Sequence, residues 1–239
     1  MESLSGKIAI VTGGTRGIGR AIAERLLREG AWVAICGRSQ ESVDRAVAQM
    51  GQLGRLFGHP ADVSDAGEVK RFFQAVDSEF GGLDILVNNA GAGVFRKVGD
   101  MTPEEWHRNI DLNLNGPFYC SREALPRFAQ RGGGFIVNIS SLAGKNAFSG
   151  GAAYNASKSG LNLFTEALML DHRHDNLRVS SIMPGSVDTE FGADSGFRAS
   201  DSSWMIAPED VAEAVNMVLR MPARTMVSRV EMRPSRPKK

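Results

Sequence analysis

The chain has 239 residues, 42% of them hydrophobic, and a formal charge of +1. That length can bury a full core, and the near-neutral balance provides no overall field for a nucleic acid or an anionic membrane. Only Cys36 and Cys120 are present, without a C-x-x-C pattern, and no His/Cys cluster has metal-ligand spacing; no metal is expected, and reduced thiols fit a cytoplasmic protein. No positively charged segment precedes a long apolar run at the N-terminus, and no stretch is long enough to span a bilayer. The basic tail Arg233–Lys239 reads as a frayed, solvated end.

Short β-rich runs alternate with amphipathic stretches along the whole chain. Strands are expected at 7–12, 31–36, 54–58, 84–88, 134–140, 177–183 and 226–232, with helices between them. The class is α/β: a doubly wound parallel sheet of about seven strands with helices on both faces, forming one domain over 1–239 without an internal linker. The first strand runs into Thr12-Gly13-Gly14-Thr15-Arg16-Gly17-Ile18-Gly19 and then into the helical pattern Arg20–Leu27. Strand, glycine turn and helix in that order let backbone amides and the positive helix end approach a pyrophosphate. The spacing G-x-x-x-G-x-G departs from the usual G-x-G-x-x-G, and a plain tight turn is the alternative.

The second strand ends in Gly37-Arg38, where a carboxylate would bind the adenosine ribose hydroxyls of NAD. A guanidinium instead pairs with a 2′-phosphate, and Arg16 is a second cation within reach. NADP(H) is therefore expected over NAD(H); the alternative makes Arg38 an ordinary surface residue and Glu41 the ribose ligand. Asp62-Val63 follows the third strand, with a helix cap as the competing role for Asp62, and Asn88-Asn89-Ala90-Gly91 closes the fourth. Thr102-Pro103-Glu104-Glu105 has the form of a capping box that opens a helix.

Tyr154 and Lys158 lie four residues apart, which on a helix stacks a phenol and an ammonium on one face. A free phenol titrates near pH ~10, and a fixed positive charge nearby lowers that value. Ser140 and Ser141 follow the fifth strand, and Pro184-Gly185-Ser186-Val187-Asp188-Thr189 follows the sixth, at the sheet edge where ligands of open α/β sheets bind. A turn at Pro184-Gly185 and a helix N-cap at Thr189 are the structural alternatives there.

In Thr12-Gly13-x-x-x-Gly17-x-Gly19, Asn88-Asn89-Ala90-Gly91, Asn113, Ser141, Tyr154/Lys158 and Pro184-Gly185 with Thr189, the chain resembles the short-chain dehydrogenase/reductases along nearly its whole length. The resemblance implies a Rossmann-like fold and hydride transfer between a nicotinamide and a carbonyl or secondary alcohol. It implies that Gly13, Thr15, Arg16, Gly17, Ile18 and Gly19 form the phosphate turn, that the Arg16/Arg38 pair marks NADP-preferring members, and that Asp62 meets the adenine amino group beside Val63. Asn89, Ala90 and Gly91 then line the cofactor, and Pro184, Gly185, Val187 and Thr189 grip its carboxamide. By the same resemblance Tyr154 is the acid and base, and Ser141, thirteen positions before it, polarises the carbonyl while Ser140 packs or contacts the cofactor. Lys158 lowers the tyrosine pKa and holds the nicotinamide ribose, and Asn113 orders a relay water, with Asn115 as rival. A non-catalytic nucleotide sensor or scaffold is the second reading, disfavoured by retention of all four residues.

A short substrate lid is expected near 190–205, with Phe191, Phe197 and Trp204 as apolar candidates and Phe95 and Phe148 on the wall. A small-molecule ketone or alcohol fits, such as a 3-oxoacyl thioester, a sugar-derived ketone or an aromatic ketone. Arg96, Lys97 and Lys145 could meet an acidic carrier, but a solvated charged rim is the stronger explanation. The ending Val227–Pro234 lacks the glycine-rich, aspartate-containing finish common among 3-oxoacyl reductases. A homo-oligomer, tetramer or dimer, is implied by resemblance, with Phe118, Tyr119, Leu161, Phe164 and Leu168 as contact candidates, ordinary packing against the sheet explaining some of them equally well.

Overall fold

The computed structural model of the chain describes residues 1–191 and 202–237. Strands β1 (Ile8–Thr12), β2 (Trp32–Gly37), β3 (Leu56–Pro60), β4 (Ile85–Asn88), β5 (Gly134–Ile139), β6 (Leu177–Pro184) and β7 (Arg229–Met232) form one sheet in the order β3-β2-β1-β4-β5-β6-β7. Every neighbouring pair is parallel. Strands covered on both faces read as continuous apolar runs, and Ile8-Ala9-Ile10-Val11 is buried throughout. Side chains alternate across the sheet: Ala9 and Val11 join one core, Ile8 and Ile10 the other.

The first core is covered by α1 (Gly17–Arg28) and α7 (Pro208–Leu219), which bring Ile22, Leu26, Val211 and Val215 against the sheet. The second is covered by α3 (Ala66–Phe80), α5 (Gly116–Arg131) and α6 (Ala152–His172), with Phe72 and Phe73 fully buried between layers. Each such ring contributes about 1.5–3 kcal/mol of burial. Through the sheet centre runs a polar chain: Asn88 Nδ2 donates to Asn138 Oδ1 at 2.8 Å, and Asn138 Nδ2 donates to Thr165 Oγ1 at 2.8 Å.

The strand order reverses between β1 and β4, which opens a crevice at the carboxyl ends of the strands. Two strands, β3 and β7, differ from expectation by two or more residues. β3 starts two residues late and runs on to Pro60, which an edge strand tolerates because it needs no donor on its free side. β7 is confined to Arg229–Met232 on the opposite edge. Helix α4 (Pro103–Ile110) opens on the expected capping box, with Thr102 and Glu105 bonded reciprocally.

Candidate active site

The crevice begins at the glycine turn. Arg16 caps α1 in extended conformation with no side-chain cap bond, and the first turn of α1 has no acidic residue, so no local carboxylate competes for its end amides. Gly17 has φ +53°, in the left-handed region. A Cβ on Gly19 would stand 2.3 Å from both the Gly13 carbonyl oxygen and Asn89 Nδ2. The turn is braced from β4: Asn89 Nδ2 donates to the Thr12 and Gly13 carbonyls at 2.9 and 3.2 Å, and Thr12 Oγ1 accepts from the Asn89 and Ala90 amides at 3.0 Å. The Asn89 side chain thus shapes the turn, while Ile18 packs against the core. Backbone-lined space at a helix N-terminus fits a phosphate group.

At the outer end, Thr15 lies against the end of β2, where a Cβ on Gly37 would meet Thr15 Cγ2 at 2.8 Å. Arg38 is exposed beside it. Arg16, also exposed, pairs with Glu190 at 3.2 Å, and Glu41 is paired with Arg45 along its own helix, α2 (Gln40–Met50). Asp62 Oδ1 accepts from the Ser64 amide and hydroxyl at 2.9 and 2.6 Å, making a local turn beside buried Val63. The cap of α3 is Asp65, so the capping alternative for Asp62 is excluded.

Asn113, Ser141, Tyr154 and Lys158 converge at the inner end. Tyr154 and Lys158 are buried on α6, and the Lys158 Nζ lies 5.9 Å from the Tyr154 ring centroid. Ser141 follows β5; its hydroxyl donates to the Pro184 carbonyl at 3.4 Å and accepts from the Ala143 amide at 3.1 Å, and it lies near enough to Tyr154 to lower the phenol by hydrogen bonding. Asn113 Nδ2 donates to Ser157 Oγ at 3.1 Å, and Ser157 in turn donates to the Tyr154 carbonyl at 2.8 Å. Asn115 turns instead to Asp111 at 2.8 Å, and buried Ser140 packs, with its hydroxyl toward the Lys158 carbonyl at 3.4 Å. A Cβ on Gly91 would lie 2.9 Å from Asn113 Oδ1 and 3.8 Å from Lys158 Nζ, which places this backbone beside both.

The electrostatics correct one expectation. Burial pushes the Tyr154 phenol up to about 12 and outweighs the lowering by its Ser141 hydrogen bond. Lys158 is pulled down to about 8 by burial, and its ammonium donates to the Ile139 carbonyl at 2.9 Å rather than to the phenol. The net shift of the phenol in the free protein is upward.

On the other wall, Gly185 donates to the Met232 carbonyl at 2.9 Å, which ties Pro184-Gly185 to β7. Val187 bridges to Ile206, and Thr189 Oγ1 accepts from the Phe191 amide at 3.2 Å. A Cβ on Gly17 would lie 3.3 Å from Thr189 Cγ2, so this segment faces the glycine turn across the crevice. Phe95, Phe148 and Phe191 gather at Tyr154, and Trp204 is half-buried. Phe197 lies outside the described residues. Of the rim cations, Arg96 pairs with Glu105 at 2.8 Å and Lys145 with Glu231, while Lys97 is exposed. Of the contact candidates, Leu161 and Leu168 take the packing alternative, buried inside the protein, while Phe118 is exposed.

Two features were not anticipated. Asn109 is fully buried and clamps Val94, accepting from its amide at 3.3 Å and donating to its carbonyl at 3.5 Å. Asn113, one turn later, clamps Ala92 in the same way, at 3.0 and 2.8 Å. Between α4 and α5 the helix widens to a π turn over Asp111–Asn115, with the Gly116 amide donating to the Asp111 carbonyl. Pro117 offers a signal for it, since a proline there cannot donate to the Asn113 carbonyl four residues back.

A family model described as short chain dehydrogenase matches residues 7–197. The chain belongs to the short-chain dehydrogenase family. An uncharacterized oxidoreductase of Staphylococcus aureus strain MW2 is 35% identical over 234 residues, covering 98% of this chain and 100% of the relative. A 3alpha-hydroxysteroid dehydrogenase of Mediterraneibacter gnavus is 38% identical, covering 80% of this chain and 77% of the relative. Among solved structures, an alcohol dehydrogenase of Thermococcus sibiricus complexed with 5-hydroxy-NADP superposes with a TM-score of 0.89 at 29% identity, over 98% of this chain and 100% of that one. A metagenomic short-chain oxidoreductase in complex with NADP gives 0.85 at 34% identity, over 99% and 100%. As a short-chain dehydrogenase, the chain is an oxidoreductase with the Rossmann-like sheet described above. Among the described residues no helix is long and apolar enough to cross a membrane.

Proposed function

We propose that the chain is an NADP(H)-dependent oxidoreductase acting between a ketone and a secondary alcohol, with Tyr154 as proton donor and acceptor. The observation that carries this reading is the meeting of Ser141 and Tyr154 hydroxyls beside buried Lys158, at the inner end of a crevice that starts at a glycine turn. When bound, a nicotinamide cofactor supplies or accepts the hydride. Ser141 polarises the substrate oxygen, and Tyr154 gives its proton to that oxygen as charge develops. The phenol is protonated at neutral pH, which makes it the proton donor when the reaction runs as a reduction. Lys158 orients the nicotinamide ribose, and Asn113 fixes the Gly91-Ala92 backbone against which the cofactor lies.

Preference for NADP(H) over NAD(H) rests on exposed Arg16 and Arg38, and on the tight space at Gly37, which holds no carboxylate. The NADP in two structural relatives supports it. The steroid dehydrogenase among the relatives supports a secondary alcohol as substrate. The glycine turn, Asp62, Val63, Asn89, Ala90, Pro184, Val187 and Thr189 are assigned to cofactor contact within one domain spanning 1–239. The protein is assigned to the cytoplasm as a homo-oligomer, with exposed Phe118 and Leu163 on the α5/α6 face as its contact; sedimentation as a monomer at micromolar concentration would count against that assembly.

The test is a pair of fluorescence titrations with NADPH and NADH, repeated for Arg38→Asp. Strong NADPH preference that the variant loses, by roughly 100-fold for a charge-assisted phosphate contact turned repulsive, is the expected result. Equal affinity for both nucleotides removes the 2′-phosphate assignment, and binding of neither removes the oxidoreductase reading.

A further inference from the structure

We propose that the substrate of this site is an uncharged ketone, or its alcohol, carried on an alicyclic or aryl ring, and not a polyhydroxylated or carrier-linked compound. The inference rests on the oxidoreductase reading above and narrows its substrate class.

Among the described residues, the surroundings of Tyr154 are rich in phenyl rings. Phe95 meets the Tyr154 ring edge-on, with centroids 5.6 Å apart and planes at 83°. Phe148 lies 5.6 Å from Phe95, and Phe191 lies 5.6 Å from Tyr154 and 6.5 Å from Phe95. Phe148 and Phe191 are 45% and 40% exposed, whereas Phe95 is half-buried, so the wall has one inner ring and two at the mouth. A Cβ on Gly93 would stand 2.5 Å from Phe95 Cζ and 2.9 Å from Phe191 Cε1; only glycine leaves the rings where they are.

The inner ring is fixed before any ligand arrives. The Asn109 clamp on Val94 and the Asn113 clamp on Ala92 set the backbone that leads into Phe95, and the Arg96 amide donates to the Gly150 carbonyl at 2.9 Å. The amides that do this are engaged with main chain. Asn155, on the helix face under Phe148, is engaged likewise: its Nδ2 donates to the Ala143 and Asn146 carbonyls at 2.6 and 3.2 Å, and its Oδ1 accepts from the Phe148 amide at 3.4 Å. The hydroxyls of Ser141 and Tyr154, near enough for the serine to lower the phenol by hydrogen bonding, form a recognition point for a single oxygen.

The energetics follow from that lining. Entry parts rings that now cover one another, and a ring-bearing ligand restores apolar and edge-to-face contact with them. A ligand with several hydroxyls restores less and sets donors against phenyl faces. One added hydroxyl in an apolar pocket is rejected by about 100-fold. Of the rim cations, Arg96 and Lys145 already pair with Glu105 and Glu231, which leaves exposed Lys97, a single solvated charge, to meet a phosphorylated or acidic carrier.

The experiment measures NADPH oxidation with 2-tetralone, 1,3-dihydroxyacetone and acetoacetyl-CoA, in the wild type and in Phe95→Ala and Phe148→Ala. NADPH binding by fluorescence is recorded for each protein. The expected result is a kcat/KM for 2-tetralone at least about 100-fold above that for 1,3-dihydroxyacetone, and also above that for acetoacetyl-CoA. The KM for 2-tetralone should rise about ten-fold in Phe95→Ala and less in Phe148→Ala, with kcat changed less than KM. Preference for either of the other compounds, no turnover of 2-tetralone by protein that binds NADPH, or an unchanged KM in both variants overturns the ring-ketone assignment and leaves the oxidoreductase reading standing. Absence of NADPH binding in the wild type overturns both.

Discussion

Lys158 Nζ reaches past the Tyr154 ring and donates to the carbonyl oxygen of Ile139 at 2.9 Å, anchoring α6 to the end of β5. Burial holds this ammonium at about 8, against an ordinary value of 10.5. A cation whose pKa is depressed by folding opposes the fold while it is charged, so the cost is complete below pH 8 and disappears as pH rises toward 10.5. Relative to Lys158→Met, the wild type should therefore gain on the order of 3 kcal/mol in unfolding free energy across that window. Urea denaturation at a series of pH values checks this, and parallel profiles for the two proteins would show that the lysine is not depressed. Tyr154 acts in the opposite direction at higher pH: its raised value makes stability fall between pH 10 and about 12.

Tyr154→Phe removes the proton source and leaves the ring packed against Phe95 and Phe191. Turnover should fall by about 100- to 10,000-fold with NADPH affinity unchanged. A variant that binds NADPH and reduces a found substrate at the wild-type rate would contradict the assignment of Tyr154 as acid and base.

Gly19→Ala places a methyl group 2.3 Å from the Gly13 carbonyl and from Asn89 Nδ2, both of which belong to the braced turn. Neither can yield without breaking the link from β4 to β1. The expected cost is about 1–3 kcal/mol of stability, with NADPH affinity lowered at least ten-fold because the turn itself is displaced. Unchanged nucleotide titrations would place the binding cleft elsewhere.

Asn138→Ala takes away both the acceptor for Asn88 and the donor to Thr165 in the sheet interior. Asn88 retains its longer bond to Ser121 at 3.3 Å, so the loss should be about 2 kcal/mol. Asn138→Asp should cost more, since it also buries a charge next to Thr165. Midpoints of chemical denaturation report both; equal stability of all three proteins would mean the amide is not part of the core's cohesion.

Much of the fold was legible because buried parallel strands leave continuous apolar runs, and the seven strands fall within a few residues of where those runs are. The glycine turn and the Tyr154/Lys158 pair were legible for a different reason: each is a local pattern whose members are held by one turn or one helix. What escaped was long-range or environmental. The partner of Arg16 is Glu190, 174 residues away, and no local pattern announces it. The spacing of Tyr154 and Lys158 suggested mutual charge stabilisation, but the sign of the tyrosine shift depends on how deeply α6 is buried, which spacing does not encode. Leu161 and Leu168 illustrate the same limit, since an apolar stripe on a helix does not say whether a sheet or another subunit covers it. The Asn109 clamp was missed because its target, Val94, lies fifteen residues upstream in irregular chain.

The π turn at Asp111–Asn115 acts as a phase shifter between two helices. A regular helix advances about 100° per residue, so the widened turn sets the rotational offset at which α4 presents Asn109 and α5 meets the sheet. Deleting one residue there would regularise the hydrogen-bond ladder yet swing α4 through roughly that angle, carrying Asn109 away from Val94 and the inner phenyl ring with it. Insertions and deletions in this short stretch are therefore alterations of pocket geometry, even though none of its residues need touch the substrate.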